Sequence, residues 1–153
     1  MLTEPTYNRT KISAVMSFKA YREMNHVYLE YMQDRYTNLP YVTEIHKLKK
    51  WGRPSNIIED LIQYYIKWTG GFCENVKNQG TYRPGIGYTY GRGTKGTADL
   101  HAMIGGKTVK IEVKYGKDKQ SEAQKEYQAR IERAGGEYWI VHTFDEFLAK
   151  MQT

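Results

Sequence analysis

The chain has a single cysteine, Cys73, in 153 residues, which excludes an internal disulfide framework and any zinc site built on several thiolates. The expectation is a reducing, intracellular setting, with Cys73 a buried small residue rather than a nucleophile. No apolar run approaches the length of a membrane span, and the opening Met-Leu-Thr-Glu-Pro lacks the basic segment and apolar run of a secretion signal. A soluble, cytoplasmic protein with no membrane partner is expected. Acidic residues are in the minority, 17 against 23 lysines and arginines, leaving a net charge of +6. Such a balance favours a polyanionic partner, because lysines and arginines that neutralise phosphates release condensed counterions; ordinary solubility charge is the bland alternative. The 14 tyrosines are able to stack on bases or fill a core, and most are assigned to packing.

No internal repeat or low-complexity tract is present, so organisation rests on periodicity and breakers. A helix is predicted over 17–36, with Phe18, Tyr21, Tyr28 and Met32 near helical spacing, and Asn38-Leu-Pro40 stops it. A shorter helix over 41–51 carries Lys47, Lys49 and Lys50 beside Trp51, and with Arg53 these make a basic cluster. Gly52-Arg-Pro54 marks a boundary, so residues 1–52 are expected to form a helical appendage to a domain over 53–153. The domain opens on a helix with Asn56 as N-cap and Glu59 three residues later, ended by Gly70-Gly71. A strand over 72–77 follows, then a glycine-rich loop over 78–96 bearing Arg83, Arg92 and Lys95. Beyond a hairpin over 97–114, Ser121 caps a helix to Ala134, Gly135-Gly136 ends it, and 137–141 is a strand. Thr143 and Glu146 make a capping box for a last helix.

The order from Asn56 is α-β-β-β-α-β, an α/β domain with a mixed sheet. Strand, helix and strand over 107–141 form a crossover, which makes the last strand parallel to the strand of Glu112, with a right-handed connection. Ligands of open α/β sheets sit outside the carboxyl ends of strands, where Glu112 and Lys114 fall.

The hairpin carries the chemistry. Gly105-Gly106 is a two-residue turn between alternating runs. Ile104 then faces Lys107, and Ala98, Leu100 and Ala102 lie opposite Val113, Ile111 and Val109 on one apolar face. The other face pairs Asp99 with Glu112, His101 with Lys110 and Met103 with Thr108, with Lys114 on the same side. Opposed like charges destabilise a sheet unless something neutralises them, and a hard divalent cation binds through carboxylate oxygens. A solvated face of mixed charge is the alternative. His101 is expected as a packing or phosphate-contact residue.

Gly91-Arg-Gly-Thr-Lys-Gly96 matches Gly-x-Gly-x-x-Gly but leads into a strand instead of opening a helix, so it fails as a dinucleotide fingerprint. No His-Arg-Asp or Asp-Phe-Gly follows, which removes the kinase reading. The segment reads as a basic loop able to approach a sugar-phosphate backbone.

Together, Glu59, Gly96-Thr-Ala-Asp99, Glu112-Val-Lys114, Ser121-Glu-Ala-Gln124 and Gly135-Gly136 resemble the VRR-NUC branch of the PD-(D/E)XK (restriction-endonuclease-like) nuclease superfamily. The resemblance covers 56–148 and departs at Ala98, where the superfamily's name has proline. It implies that Asp99 and Glu112 hold Mg2+ or Mn2+ with the Val113 backbone carbonyl, that Lys114 positions the attacking water, and that Glu59 and Gln124 complete the site. Glu59 and Gln124 each also stand where a capping box would place them. Arg83, Arg92, Lys95, Lys117, Lys119 and Lys125 are the candidate phosphate contacts. The implied activity is a metal-dependent DNA endonuclease acting on branched DNA, Holliday junctions or flaps, of a type found in phages and mobile elements and often homodimeric. The rival readings are a catalytically silent nucleic-acid-binding module and a sequence-selective nickase or restriction-like enzyme.

Overall fold

A computed structural model of the chain describes residues 11–38, 52–76, 81–89 and 93–153. The helix expected over 41–51, its lysine cluster, and Arg92 lie outside the described residues.

Serine before an apolar-periodic run starts a helix, and α1 (Phe18–Arg35) begins there, with the Ser17 hydroxyl accepting from the Ala20 N–H at 3.1 Å. Helix α2 (Pro54–Trp68) starts two residues before the expected cap, with Arg53 at the N-cap and proline in the first turn. Proline suits that position because its φ is already helical and its missing N–H would have had no partner. Asn56 therefore lies inside the helix, and Glu59 is in its second turn. The chain leaves α2 at Gly71, where a Cβ would stand 2.7 Å from Ile66 Cγ2 and 3.1 Å from the Met103 carbonyl, so only glycine lets the two elements close up.

The strands are β1 (Phe72–Asn75), β2 (Thr81–Arg83), β3 (Gly87–Thr89), β4 (Leu100–Ile104), β5 (Lys107–Val113) and β6 (Glu137–Val141), with α3 (Glu122–Arg133) between the last two and α4 (Phe144–Met151) at the end. Within the segment expected as a loop, β2 and β3 pair as a small antiparallel hairpin. Pro84-Gly85 makes its turn, with β-branched and aromatic residues on either side. The other four strands form a mixed sheet in the order β1-β4-β5-β6, antiparallel except for the β5–β6 pair, which is parallel. The fold is thus α/β, four helices about a four-stranded mixed sheet, and the expected α-β-β-β-α-β order is present with the small hairpin inserted.

The β4–β5 register is the one the Gly-Gly turn dictates: Leu100, His101, Ala102, Met103 and Ile104 face Ile111, Lys110, Val109, Thr108 and Lys107. Leu100, Ala102, Val109, Ile111 and Val113 enter the main core with Ile58, Leu61, Ile62 and Ile66 of α2 and Phe144 and Phe147 of α4. The other face carries a smaller cluster of Ala98, Tyr127 and Tyr138, flanked by Ile131 and Ile140, beneath α3. Ala98 was expected on the main apolar face. The strand begins only at Leu100, so the alternation does not extend back to Ala98.

The N-terminal helix and the residues just before it, read from sequence as part of an appendage, share the main core through Val15, Met16, Ala20, Tyr21, Met24 and Val27. Asp145 of α4 fastens it: its Oδ2 accepts from the Ser17 N–H at 2.7 Å and its Oδ1 from the Ser17 hydroxyl, while the Phe144 N–H donates to the Val15 carbonyl at 2.9 Å. Among the described residues no helix is long and apolar enough to cross a membrane. Met24 is fully buried, so Met24→Ala should cost about 2–4 kcal/mol in denaturant unfolding. A loss below about 0.5 kcal/mol, the level of an ordinary surface substitution, would show that α1 does not belong to the cooperative unit.

Candidate active site

Asn75 ends β1, Leu100 opens β4 and Val113 closes β5, so antiparallel pairing brings all three to one end of the sheet. Asp99 sits there, one residue before β4. Its carbonyl accepts from the Val76 N–H at 2.8 Å, and its Oδ2 accepts from the Val113 N–H at 2.8 Å. The aspartate thus continues the β4–β5 ladder with its side chain where backbone pairing has stopped, and this fixes its carboxylate beside the strand of Glu112.

Glu112 lies opposite Ile140 in the β5–β6 pair and is only 2 % exposed. Its Oε1 accepts from Lys114 Nζ at 2.8 Å and from the Gln124 amide. Among the described residues its Oε2 has no hydrogen-bond partner although it is buried. Burial pushes the Glu112 carboxyl up, the Lys114 hydrogen bond opposes this, and the negative charge of Asp99 adds to it. Burial likewise raises Asp99, against the Val113 N–H and the charge of Lys114. One largely buried ammonium therefore serves both carboxylates.

Gln124 resolves the two readings that its position allowed, because both hold at once. Its Oε1 accepts from the Ser121 N–H at 2.9 Å, closing the capping box with the Ser121 hydroxyl, and this leaves the amide nitrogen to donate to Glu112. The donor at Ser121 fixes which way the amide lies. Gly96 sets the distance: it has φ +75°, and a Cβ there would stand 2.1 Å from the Ala123 carbonyl oxygen and 2.7 Å from the Gln124 nitrogen. Any side chain at 96 would push the approach to Asp99 off the first turn of α3.

Glu59 is not a capping residue. Its Oε2 accepts from Asn75 Nδ2 at 2.6 Å, joining α2 to the end of β1. Its carboxyl is pushed up to about 7 by burial first and then by the charge of Asp99, with Asp60 and Glu112 adding and Asn75 opposing. Asp99, Glu112 and Glu59 thus share one electrostatic neighbourhood. Asn75 was not anticipated from sequence, where it is simply a polar residue ending a strand.

His101 joins Glu74 at 3.5 Å across the β1–β4 pair instead of Asp99. Lys95, Lys117, Lys119 and Lys125 are exposed, and Lys125 is engaged by Glu122 at 2.7 Å. The backbone of Arg83 lies in β2. Burial raises the Cys73 thiol to about 12, as suits a packed residue and not a nucleophile.

The donors for a metal are oxygens: Asp99, Glu112 with its unpaired Oε2, and the adjacent Val113 carbonyl. Among the described residues no three His, Cys, Asp or Glu side chains form a metal cluster, and Glu59 stands beside the pair with one oxygen committed to Asn75. Two carboxylates and a carbonyl are all-oxygen donors, the kind that hard cations such as magnesium and manganese take together with water.

The raised Glu59 has a consequence for the metal-free protein. Unfolded, the group titrates near 4.5, and folded near 7, so its contribution to stability is complete below pH 4.5 and lost as pH rises through 7. Glu59→Gln should match wild type at low pH and exceed its stability above pH 7 by about 1 kcal/mol once solvent screening is allowed for. Parallel stability curves for the two from pH 4 to 8 would show that Glu59 does not feel the other carboxylates. No protein family's sequence profile and no curated protein matches the chain, and its functional reading rests on the residues just described.

Proposed function

We propose that the protein is a metal-dependent DNA endonuclease that hydrolyses phosphodiester bonds and selects branched DNA by shape. The observation that carries this is the meeting at the sheet end of Asp99, held by the Val113 N–H, and Glu112, held by Lys114 and Gln124 with its other buried oxygen unpaired among the described residues. A structural ion pair would not need it. Burying a carboxylate costs several kcal/mol, and a second acid beside it raises the cost, so apolar residues would stabilise the same position better. Clustered acids with displaced pKa values are what a catalytic site requires.

Asp99, Glu112 and the Val113 carbonyl would hold Mg2+ or Mn2+, with Glu59 at the margin. When bound, such an ion polarises a phosphate oxygen and makes a coordinated water more acidic. Lys114 keeps its ammonium at the carboxylates, where it can face a phosphate oxygen and offset the charge that develops there. Gln124 ties Glu112 Oε1 to the start of α3. Glu59, with a carboxyl near 7, is suited to take a proton from the attacking water at neutral pH. The net charge of +6 and the exposed lysines at 95, 117 and 119, which precede Gly96 or lead into α3, supply attraction for a phosphate backbone. Selection of branched DNA by shape is what the family resemblance implies, and phosphate contacts of this kind carry no base-sequence information. A homodimer, as the resemblance implies, would present two such sites to a junction.

Incubation with Mg2+ and end-labelled linear duplex, flap, splayed-arm and four-way-junction DNA should give cleavage of the branched substrates. Asp99→Asn and Lys114→Ala should each lower the rate by about a hundredfold or more while DNA affinity holds. Tight DNA binding without cleavage in either Mg2+ or Mn2+ would make the chain a binding module and sink the proposal. Replacing Lys117 and Lys119 with alanine should reduce the slope of log affinity against log salt by about two if each meets a phosphate. An unchanged slope would assign them to ordinary surface charge.

A further inference from the structure

Two buried side-chain oxygens lack a hydrogen-bond partner among the described residues, Glu112 Oε2 and the Tyr138 hydroxyl. They belong to one neighbourhood. Tyr138 lies on β6 beside Lys110 of β5, two residues before Ile140, which faces Glu112, and strand alternation puts Tyr138 and Ile140 on the face beneath α3. Gln124 reaches Glu112 from α3 on that same face. Tyr138 is 8 % exposed and Glu112 2 %, so neither oxygen is served by bulk water. Gln120 comes near the phenol, but neither its amide oxygen nor its amide nitrogen makes a hydrogen bond to it, and the nitrogen donates to Gln128 Oε1 at 2.9 Å. The ring itself is fixed by edge contact with Tyr127, at 6.3 Å between centroids.

The chemistry of the two atoms is complementary. Burial and the charge of Glu112 push the phenol upward, so it stays protonated and can donate. A carboxylate oxygen can only accept. Leaving both unmade forfeits the hydration of two buried polar groups, and a single water that accepts from the phenol and donates to the carboxylate satisfies both.

We propose that Tyr138 is a positioning residue of the site, its hydroxyl donating through one water to Glu112 Oε2 and so holding the oxygen that Lys114 and Gln124 leave free. This rests on the reading of Glu112 as a metal ligand. Lys114 and Gln124 constrain Oε1 alone, and a carboxylate held at one oxygen still turns about its last bond. With the phenol engaged, both oxygens are fixed before a cation arrives, which is how partners behind a ligand raise metal affinity.

Calorimetric titration of the DNA-free protein with Mn2+ tests this apart from cleavage. Tyr138→Phe should weaken Mn2+ binding about tenfold. It keeps the ring and its contact with Tyr127, so the thermal midpoint of the metal-free protein should stay within a few degrees. Tyr127→Phe, which removes the hydroxyl of the neighbouring ring, should bind Mn2+ like wild type. On branched DNA, Tyr138→Phe should lower kcat and leave KM unchanged. Equal Mn2+ affinity in wild type and Tyr138→Phe would overturn the role of Tyr138 and leave the nuclease reading standing. Equal weakening by Tyr127→Phe would also overturn it, by showing a packing effect. Absence of Mn2+ binding in wild type would remove the nuclease reading and the role of Tyr138 with it.

Discussion

A carboxylate taken almost wholly out of water at the end of a central strand is the constraint to which this structure answers. An ionised group in that position must be met by charge or hydrogen bonds, or else give up its ionisation. Among the described residues Glu112 is met on one oxygen only, by Lys114 just past the end of its own strand and by Gln124 from the next helix. Asp99, held to the Val113 N–H, brings a second negative charge to the same place. The arrangement is costly as a way of stabilising a fold and useful as a way of gathering hard oxygen donors beside a cation.

The stability that supports it lies on the other face of the sheet. There α1, α2 and α4 cover the sheet with a continuous core that runs from Val15 to Phe147. Burying a large apolar side chain contributes about 1.5–3 kcal/mol, and this face holds many, whereas the cluster beneath α3 consists of Ala98 and two tyrosines with Ile131 and Ile140 at its margin. The N-terminal helix is a working part of the larger core. Its docking through Ser17 and Asp145 ties the first described elements to the last helix, and so adds to the surplus that the acidic end consumes.

What could be read in the sequence was whatever a local rule determines. Period-two alternation about Gly105-Gly106 fixes the β4–β5 register, because a slip of one residue would expose Leu100 and Ile111. Ser121 and Gln124 mark the start of α3 through a hydrogen-bond pattern contained within four residues. Legibility fails where a distant partner decides. The Glu59–Asn75 bond spans 16 residues and the Ser17–Asp145 contact 128, and no spacing announces either. Asn56 looks like a cap until Pro54 starts the helix earlier, a contest between two local rules in which fixed φ prevails. The β2–β3 hairpin was hidden by glycine content, although Pro84-Gly85 between Thr81-Tyr82 and Tyr88-Thr89 carries the turn signal.

Gln124 shows why the site and the fold are hard to separate. A glutamine that only capped α3 would leave Glu112 to Lys114 alone, and one that only held Glu112 would leave the Ser121 N–H without its acceptor. Serving both, it ties one oxygen of the carboxylate to the first turn of a helix, whose positive end in turn favours the negative charge. Gly96 presses the approach to Asp99 against the same turn, so the two acids are referenced to one rigid point, although one precedes β4 and the other lies near the end of β5. The segment between β5 and α3 is likewise held at both ends, by the Lys114 N–H on the Val141 carbonyl at 2.9 Å and by the Ser121 cap. Its Lys117 and Lys119 are exposed, in the segment that joins the strand of Glu112 to the helix of Gln124.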